Sequence, residues 1–527
     1  MYWTRGWRER AWGELDQKWD VIIIGGGITG AGILRQCLHA GLKAVLFEAD
    51  DFASGTSSRS SKLVHGGLRY LKNAQFRVTL ESVQEREYLL KQGRGLVNRL
   101  GVLYACLPGD RMPGWVFGLG LDIYDLMARQ WSHRNYDPED MRELCPLLTV
   151  PGLRGGYRYF DAQTDDARLV LRLLRESLAG GGLALNYARV DALLKTNAGR
   201  VCGVLVRDTS DGTERAVEVN ARVVINATGA WADVLRKGIG QKPRLRPLRG
   251  SHLVLPFNRL PLTRSISFLH PQDGRPVFAL PWEGAVVFGT TDVDHRDPLQ
   301  ADPSISEAEV EYLLAALQHV FPAQELTRAD VLATYSGVRP VVDTGKADPS
   351  KESREHVIWD ENGLLTASGG KLTTFRIMAR DVLKAVRKYL GQIPFDPDVP
   401  VLDPLPPEAE AMLAGTPLPP SQCLRLMARY GIDSSLLICG QGANLEPISG
   451  TPYVWEELRQ AARNEAVVHL DDLLLRRVRL GLLVPNGSLE QMSRIREIAQ
   501  PELGWEDARW ESEVNAYREV WQKSYRL

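Results

Sequence analysis

Residues 19–50 read WDVIIIGGGITGAGILRQCLHAGLKAVLFEAD, and this stretch decides the fold. The β-branched run at 20–24 is typical of a buried strand in a parallel sheet. The spacing of the apolar residues then predicts a helix over 28–40, and residues 43–47 predict the next strand. A strand, a glycine turn, a helix and a second strand in this order predict a Rossmann-like α/β domain.

The glycine turn of this unit has the spacing G-x-G-x-x-G, at Gly25, Gly27 and Gly30. The first glycine permits the turn, the second lets a pyrophosphate approach the backbone, and the third lets the helix pack closely. The helix N-terminus offers free N–H groups to phosphates. Glu48, at the end of the second strand, is expected to hold an adenosine ribose, which favours FAD or NAD over NADP. A lone glycine turn is a weak sign, but the complete unit predicts a dinucleotide site.

Length and composition narrow the class of protein. The chain of 527 residues is long enough for two to four domains, and its 44% hydrophobic and 24% charged residues are ordinary for a soluble globular protein. A net charge of -1 gives no electrostatic support for a nucleic-acid partner. The scattered cysteines predict reduced thiols in the cytoplasm and no metal site. No apolar run reaches the roughly 18 residues that span a bilayer.

Residues 1–18 place Tyr2, Trp3 and Trp7 among several arginines. Aromatic rings beside guanidinium groups are typical of a membrane interface, where the rings lie at headgroup level. The alternative is a tail that frays or folds onto the body of the protein. The sequence leaves both interpretations open.

A serine-rich segment follows the second strand, and residues 50–71 read DDFASGTSSRSSKLVHGGLRYL. Its composition predicts a loop, and the alternative to a functional role is a solvated linker. It begins at the carboxyl end of a strand, where open α/β sheets bind ligands. Lys62, His65 and Arg69 lie among its hydroxyl groups, which suits phosphate and the polar atoms of a flavin.

A second dinucleotide signature lies at 221–235, where the strand-like run ARVVIN ends in A-T-G. This motif and residues 20–71 closely resemble the FAD-dependent glycerol-3-phosphate dehydrogenases of the respiratory, quinone-linked type. That family belongs to the D-amino-acid-oxidase-like flavoproteins. The phrases DDARLVL at 165–171, GSH at 250–252 and GTTD at 289–292 extend the resemblance over nearly the whole chain after Trp19.

The resemblance implies an FAD enzyme that oxidises sn-glycerol 3-phosphate to dihydroxyacetone phosphate and passes the electrons to a membrane quinone. It implies a cytoplasmic protein, peripheral on the inner face of the cell membrane, and leaves a homodimer open. The alternatives are a glycerol-3-phosphate oxidase that makes hydrogen peroxide, an amine or amino-acid oxidase on the same scaffold, and a flavin-binding protein without turnover. Clustered cationic side chains argue against an amine substrate.

The glycine turn, the serine-rich loop, the A-T-G motif and a second glycine turn at 369–370 are predicted to bind the cofactor. The predicted FAD-binding residues are Gly25, Gly27, Ile28, Thr29, Gly30, Glu48, Thr56, Ser57, Ser58, Ser61, Lys62, His65, Thr228, Gly229, Gly370, Lys371, Leu372 and Thr373. A helix is expected to run from this second turn to about residue 390. Its N-terminal N–H groups would stabilise negative charge on the flavin.

The substrate phosphate is expected to need cations, and the resemblance assigns this role to a group of loop residues. These predicted substrate-binding residues are Arg69, Tyr70, Arg339, Arg354 and Lys371. The predicted catalytic residues are His65, Arg339 and Lys371. Imidazole titrates near neutral pH, so His65 is the first choice as general base, with bound solvent, Lys371 and His252 as alternatives. An arginine is a poor base, so Arg339 is expected to orient the substrate.

The predicted fold class is α/β plus α+β, with a discontinuous Rossmann-like domain, an antiparallel-sheet substrate domain and a C-terminal helical domain. The predicted divisions are a tail at 1–18, an FAD-binding domain at 19–100, 155–243 and 330–392, a substrate-binding domain at 101–154 and 244–329, a proline-rich linker at 393–420 and a helical domain at 421–527. The arginine run at 476–479 is predicted to be a solvated face. Residues 100–160, which carry prolines at 108, 113, 138, 146 and 151, are predicted to be irregular.

Overall fold

Two β-sheets, one of eight strands and one of ten, organise the chain. The computed structural model describes residues 3–527 apart from 73–74, 111, 211–213, 300–301, 346–351, 353–354, 395, 397, 406, 408–410, 412–414 and 440–442, with only the backbone of Arg69 and Lys72. The strands are β1 Trp19–Ile24, β2 Ala44–Phe47, β3 Leu63–Val64, β4 Val97–Ala105, β5 Arg134–Tyr136, β6 Gly156–Thr164, β7 Leu183–Leu185, β8 Ala188–Lys195, β9 Val201–Asp208, β10 Ala216–Asn226, β11 Leu245–Pro256, β12 Ser265–Leu269, β13 Pro276–Trp282, β14 Ala285–Gly289, β15 Val293–Asp294, β16 Ala333–Val342, β17 His356–Glu361 and β18 Leu364–Gly369.

The helices cover the outer faces of these sheets. They are α1 Trp7–Gly13, α2 Ile28–His39, α3 Arg69–Lys72, α4 Phe76–Gln92, α5 Gly114–Ala128, α6 Pro138–Leu144, α7 Asp166–Ala179, α8 Ala232–Gly238, α9 Glu307–Val320, α10 Phe375–Leu390, α11 Pro420–Tyr430, α12 Leu436–Cys439, α13 Trp455–Asn464, α14 Leu480–Leu483, α15 Met492–Leu503 and α16 Asp507–Ser524. None of the helices in the described part of the chain is long and apolar enough to cross a bilayer.

The eight-stranded sheet confirms the predicted Rossmann-like unit. Its main order is β17-β18-β10-β1-β2-β7, and β1 pairs in parallel with both β2 and β10. Strands β8 and β9 extend it as an antiparallel hairpin on β10. Helix α2 follows β1 as predicted, and α7 and α10 pack against it. The carboxyl ends of β1, β2, β10 and β18 therefore meet at one edge, where such sheets bind ligands.

The ten-stranded sheet is antiparallel as predicted, apart from the parallel pairing of β12 with β4. Successive side chains along each strand point to opposite faces of the sheet. Leu253 and Leu255 pack towards α9, whereas Val254 between them packs towards the C-terminal helices. This sheet is therefore covered by helices on both faces.

Strands β4, β6 and β16 belong to the ten-stranded sheet. The predicted FAD-binding ranges include the whole of β16 and β6 and the first residues of β4, which pair in the ten-stranded sheet and not in the Rossmann-like sheet. The predicted domain boundaries stay a prediction. Strand β16 pairs with β11 along its whole length, from Ala333 opposite Val254 to Val342 opposite Leu245. Alternating residues identify a strand, but they do not identify its hydrogen-bonding partner.

The N-terminal segment folds onto the body of the protein. Trp3 and Trp12 are only 3% and 5% exposed, and the ring of Trp3 stacks on Phe52 at 5.3 Å between centroids. Arg8 donates to the Asp208 carboxylate at 2.8 Å. The membrane-interface interpretation is therefore wrong for these buried rings, because their apolar surface is already packed against protein.

The arginine run near 476–479 is buried, and the prediction of a solvated face is wrong. Arg476 and Arg477 both donate to the carboxylate of Asp51, and Arg479 donates to Asp165 and Asp166 at 2.7 and 2.6 Å. These carboxylates lie at the end of β2 and the start of α7. Buried charges need partners, and the arginines therefore join the C-terminal helices to the Rossmann-like domain.

Candidate active site

A cavity of about 820 Å³ extends between the two sheets. One end is formed by the carboxyl ends of the parallel strands, including Gly25, Glu48 and Ala227. The other end reaches the ten-stranded sheet at Phe278 and Arg339. A volume of this size lies within the usual range for cofactor and ligand sites.

The glycine turn is shaped by close backbone contacts. Gly25 has a φ of +112°, and a Cβ at this position would lie 2.5 Å from the carbonyl oxygen of Ala227. A Cβ on Gly30 would lie 1.9 Å from the oxygen of Gly25. The backbone N–H of Ile28 donates to Ser57 Oγ at 2.9 Å. The turn therefore presents backbone groups to the cavity and rests on the serine-rich loop, as a phosphate-binding turn requires.

Glu48 lies where the sequence predicted a ribose ligand. Its carboxylate accepts hydrogen bonds from the backbone N–H groups of Gly26 at 2.6 Å and Asp50 at 3.0 Å. Burial raises the pKa of the Glu48 carboxyl to about 7. The side chain is fixed at the cavity wall and can accept hydrogen bonds from a sugar.

Most of the predicted cofactor residues line this cavity. They are Gly25, Gly27, Ile28, Thr29, Glu48, Thr56, Ser57, Ser61, His65, Thr228, Gly229, Gly370, Lys371, Leu372 and Thr373. Gly30, Ser58 and Lys62 are absent from the lining, so direct contact with a ligand in the cavity is not supported for them. Gly30 permits the helix packing described above. Lys62 is fully buried and donates to Asp166 at 2.8 Å and to the carbonyl of Ser58 at 2.6 Å.

His65 and the second glycine turn meet at the cavity wall. The backbone N–H of His65 donates to Thr373 Oγ1 at 3.1 Å, and the same hydroxyl lies 3.2 Å from the carbonyl oxygen of His65. Thr373 belongs to the short turn Leu372–Thr374 that leads into α10. Two distant loops are thereby held together at the cavity wall.

Lys371 and Tyr70 form one cationic corner of the cavity. The ammonium group of Lys371 donates to Ser82 Oγ at 2.8 Å and lies 3.8 Å from the centroid of the Tyr70 ring. Ser82 belongs to α4 and Tyr70 to α3. The lysine predicted from the glycine turn therefore stands beside the tyrosine of the serine-rich segment.

Arg339 provides a second cationic group that lines the cavity. Its guanidinium donates to Asp292 at 3.1 Å and to Thr290 at 3.3 Å, and 25% of the side chain stays exposed. Arg275 lies 3.3 Å from the same Asp292 carboxylate and also lines the cavity. Asp292 thus holds two arginines at the cavity wall.

Two predicted substrate ligands lie outside the described atoms. The side chain of Arg69 and the whole of Arg354 belong to the part of the chain that the structure does not describe. Their roles in phosphate binding stay predictions.

His252 lies behind the cavity wall. It is buried, it stacks on Tyr335 at 4.7 Å, and its Nε2 is 2.8 Å from Ser61 Oγ. Burial lowers the pKa of His252 well below its usual value, so the ring stays neutral. Ser61 lines the cavity and His252 does not, which argues against His252 as the group that removes a substrate proton.

The sequence analysis missed one wall of the cavity. Val116, Phe117, Leu119 and Ile123 of α5 line it, although the prolines around this region predicted irregular structure. The prolines lie outside α5 itself, which begins directly after Pro113, and this position could have indicated a helix start. Nothing in the local pattern identified Arg275.

Comparison with known proteins agrees with this geometry. Residues 20–376 match the family described as FAD dependent oxidoreductase, and residues 403–510 match the C-terminal domain of alpha-glycerophosphate oxidase. The chain belongs to the FAD-dependent oxidoreductase family. This oxidoreductase is 36% identical to the aerobic glycerol-3-phosphate dehydrogenase of Staphylococcus epidermidis over 383 residues, which are 72% of this chain and 68% of that protein.

Solved structures of similar proteins share the fold of this oxidoreductase. The glycerol-3-phosphate dehydrogenase of Bacillus halodurans, complexed with FAD, superposes with a TM-score of 0.79 at 26% identity and covers 98% of both chains. The L-alpha-glycerophosphate oxidase of Mycoplasma pneumoniae has a TM-score of 0.58 at 18% identity, over 74% of this chain and 99% of that one, and shows the fold alone. The predicted family, fold class and FAD cofactor are confirmed.

The residues present fit FAD. The cavity is lined by a glycine turn in which added Cβ atoms would clash, and it carries the acidic residue expected at a ribose. The adenosine end would be held by the glycine turn and Glu48. The flavin end would be held by the segment from Ser61 to His65 and the turn at Gly370–Thr373.

Proposed function

We propose that this oxidoreductase oxidises sn-glycerol 3-phosphate to dihydroxyacetone phosphate. The observation that carries the proposal is that Arg339, Arg275, Lys371 and Tyr70 all line one cavity that fits FAD. A phosphate dianion needs several cationic donors, and guanidinium groups match its geometry. The relatives named as glycerol-3-phosphate dehydrogenases support the same substrate.

The residues of the chain have separate tasks in this reaction. Bound FAD supplies the acceptor for the hydride that leaves C2 of the substrate. Arg339 and Lys371 bind and orient the phosphate, and Asp292 keeps the Arg339 guanidinium turned towards the cavity. Holding the substrate in a reactive orientation removes much of the entropy cost of the reaction.

The hydroxyl proton at C2 must leave with the hydride. His65 lines the cavity, and its backbone is fixed by Thr373. We assign to its imidazole the task of accepting this proton. The backbone N–H groups at the turn before α10 lie at a helix N-terminus, where they favour negative charge on a neighbouring group.

Anaerobic addition of glycerol 3-phosphate to the yellow protein tests the substrate. The flavin absorbance should bleach in stopped flow, and glycerol or glycerol 2-phosphate should leave it unchanged. His65→Ala should keep FAD but lose most of the bleaching rate. Bleaching by an amino acid in place of glycerol 3-phosphate would contradict the proposal.

The electron acceptor is proposed to be a membrane quinone, and an exposed apolar face supports this. Trp115, Leu119 and Leu126 lie within about 40° of one another around α5 and are all exposed. Trp131, which follows the end of α5, and Phe76, at the start of the neighbouring helix α4, are also exposed. Phe76 and Leu119 also line the cavity. We call these five residues the α5 face. Exposed tryptophans and leucines suit the interface of a bilayer.

A peripheral position on the inner face of the cell membrane follows if the α5 face meets lipid. Pelleting with vesicles that contain phosphatidylglycerol should fall when Trp115 and Leu119 are both changed to serine. Ile432→Ser is the matched control, because Ile432 is 63% exposed and lies outside the α5 face. If the serine variant instead splits a dimer and keeps its pelleting, the face is an interface between two copies.

An oxidase that reduces oxygen is the second candidate, because residues 403–510 match the C-terminal domain of alpha-glycerophosphate oxidase. The bleached flavin should be mixed in turn with a soluble quinone and with oxygen. Much faster return of the absorbance with the quinone supports the dehydrogenase. Faster return with oxygen, together with hydrogen peroxide, supports the oxidase.

A further inference from the structure

A second cavity, of about 630 Å³, lies between the N-terminal segment and the C-terminal helices. We call it the N-terminal cavity and define it by Trp3, Arg5, Trp7, Arg463, Trp505 and Arg509, which are among its lining residues. It shares no lining residue with the active-site cavity. Neither FAD nor the proposed substrate gives it a role.

The charge of this cavity favours an anion. Four arginines line it, against the two carboxylates of Glu502 and Glu506. Arg463 is paired with Glu502 at 2.6 Å, and Arg8 is paired with Asp208. Arg5 forms no salt bridge within the described part of the chain, and its guanidinium lies beside Gly504 at the cavity wall. Arg509 lies 3.9 Å from Glu513. Among the described residues, Arg5 is therefore the lining cation that an anionic ligand could bind.

Trp3 gives a second and independent sign of a ligand. Its ring is 3% exposed, and among the described residues no acceptor lies within hydrogen-bond distance of its Nε1. Leaving a buried N–H unpaired costs free energy. An oxygen atom of a ligand in the cavity would remove this cost.

We propose that the N-terminal cavity is a second ligand site, which binds a small phosphorylated anion through Arg5 and Trp3. A phosphate oxygen can accept from both the guanidinium and the indole N–H, and arginine forms strong charge-assisted bonds to phosphate. Trp7 and Trp505 add flat apolar surface for a ring carried by the same ligand.

The site is connected to the cofactor turn by direct packing. Trp3 stacks on Phe52, and the Phe52 ring would lie 2.8 Å from a Cβ on Gly26. The next residue, Ala53, donates its N–H to the carbonyl of Gly26 at 3.1 Å. A ligand that orders Trp3 should therefore also slow the release of FAD.

Titration calorimetry on the full-length, FAD-loaded protein tests the site, with AMP and inorganic phosphate as probes. Bound FAD keeps AMP out of its own adenosine region. Wild type should bind AMP saturably, and inorganic phosphate more weakly. Arg5→Ala and Trp3→Phe should each weaken AMP binding about tenfold or more, as expected for losing a charged or a buried hydrogen bond. The AMP affinity of Arg5→Lys should lie between that of Arg5→Ala and that of wild type.

Two controls separate this site from the active site. Arg518→Ala removes an exposed arginine of α16 and should bind AMP like wild type. Arg339→Ala should also keep AMP binding, and Arg5→Ala should keep the wild-type KM for glycerol 3-phosphate. Flavin content confirms that each variant is folded. The proposal is overturned if wild type gives no saturable heat with either probe, or if binding is lost in Arg339→Ala and kept in Arg5→Ala.

Discussion

His65 and Thr373 are joined by two contacts through one hydroxyl group, at 3.1 and 3.2 Å, although 308 positions separate them in the chain. One contact uses the backbone N–H of His65 and the other its carbonyl oxygen. This threonine therefore sets the position of the proposed base relative to the turn that precedes α10.

Thr373→Val should test this link. The change removes both contacts at nearly constant volume, and hydrogen bonds of this kind are worth about 1 kcal/mol each. We expect FAD to stay bound and the rate of flavin bleaching by glycerol 3-phosphate to fall roughly tenfold. Thr373→Ser keeps the hydroxyl and should remain close to wild type. A valine variant as fast as wild type would show that the link does not matter for the reaction.

Arg339→Ala should raise the KM for glycerol 3-phosphate by about ten- to a hundredfold, because a charged hydrogen bond to phosphate is lost. Arg339→Lys should recover only part of this, since lysine cannot reproduce the planar fork. Steady-state kinetics with a quinone analogue measures both. Arg264→Ala, which removes an exposed arginine elsewhere, is the control and should keep the wild-type KM. An unchanged KM in Arg339→Ala would exclude the proposed phosphate contact.

Asp51→Asn should destabilise the protein strongly. The change leaves the guanidinium groups of Arg476 and Arg477 buried without their shared carboxylate, which costs about 3–5 kcal/mol. Arg494→Ala removes an exposed ion pair with Glu497 and should cost less than about 1 kcal/mol. Thermal and urea unfolding of the FAD-loaded protein, followed by tryptophan fluorescence, compares the two. Equal midpoints would contradict the structural role of the buried cluster.

The same cluster should make the protein sensitive to acid. Although burial opposes ionisation, Arg477 and Arg476 lower the pKa of the Asp51 carboxyl to about 2. A depressed carboxyl pKa stabilises the folded state above the unfolded value of about 4, and this is lost as the pH falls towards 2. Unfolding midpoints measured from pH 5 to pH 2 should fall more steeply for wild type than for Asp51→Asn.

His469 should control stability at alkaline pH. Burial opposes its charge, but Glu513, Asp472 and Asp471 together raise the pKa of His469 from 6.5 to about 9. A raised histidine pKa stabilises the folded state fully below about 6.5, and the effect is lost as the pH rises through about 9. Wild type should therefore lose stability over this window, and His469→Gln should show a flatter profile. Parallel profiles would contradict the assignment.

The glycine turn, helix α2 and the acidic residue at the end of β2 could be predicted because their signals are local. The glycine spacing, the period of the apolar residues and the ends of both strands can all be recognised within about thirty residues of sequence. The structure of the proline-containing region before β6 could not be predicted from such local signals. Its helix α5 is marked by a proline start, but its role as a cavity wall depends on packing against β4 and β6.

The arginines at 476–479 show the opposite case. A run of charges is usually solvated, and only the fold brings Asp51, Asp165 and Asp166 against them. The same holds for Asp292, which holds both Arg339 and Arg275 after pairing of strands that are far apart in the chain.

The sequence alone determined the FAD-binding α/β fold and the glycine- and serine-rich loops that line its site. It could do so because backbone conformation at glycines and the period of apolar residues are local properties. The tertiary structure alone decided which cations share the cavity, which charges are buried, and that the N-terminal tryptophans pack inwards. Burial and ion pairing depend on contacts between residues hundreds of positions apart, and no local pattern records them.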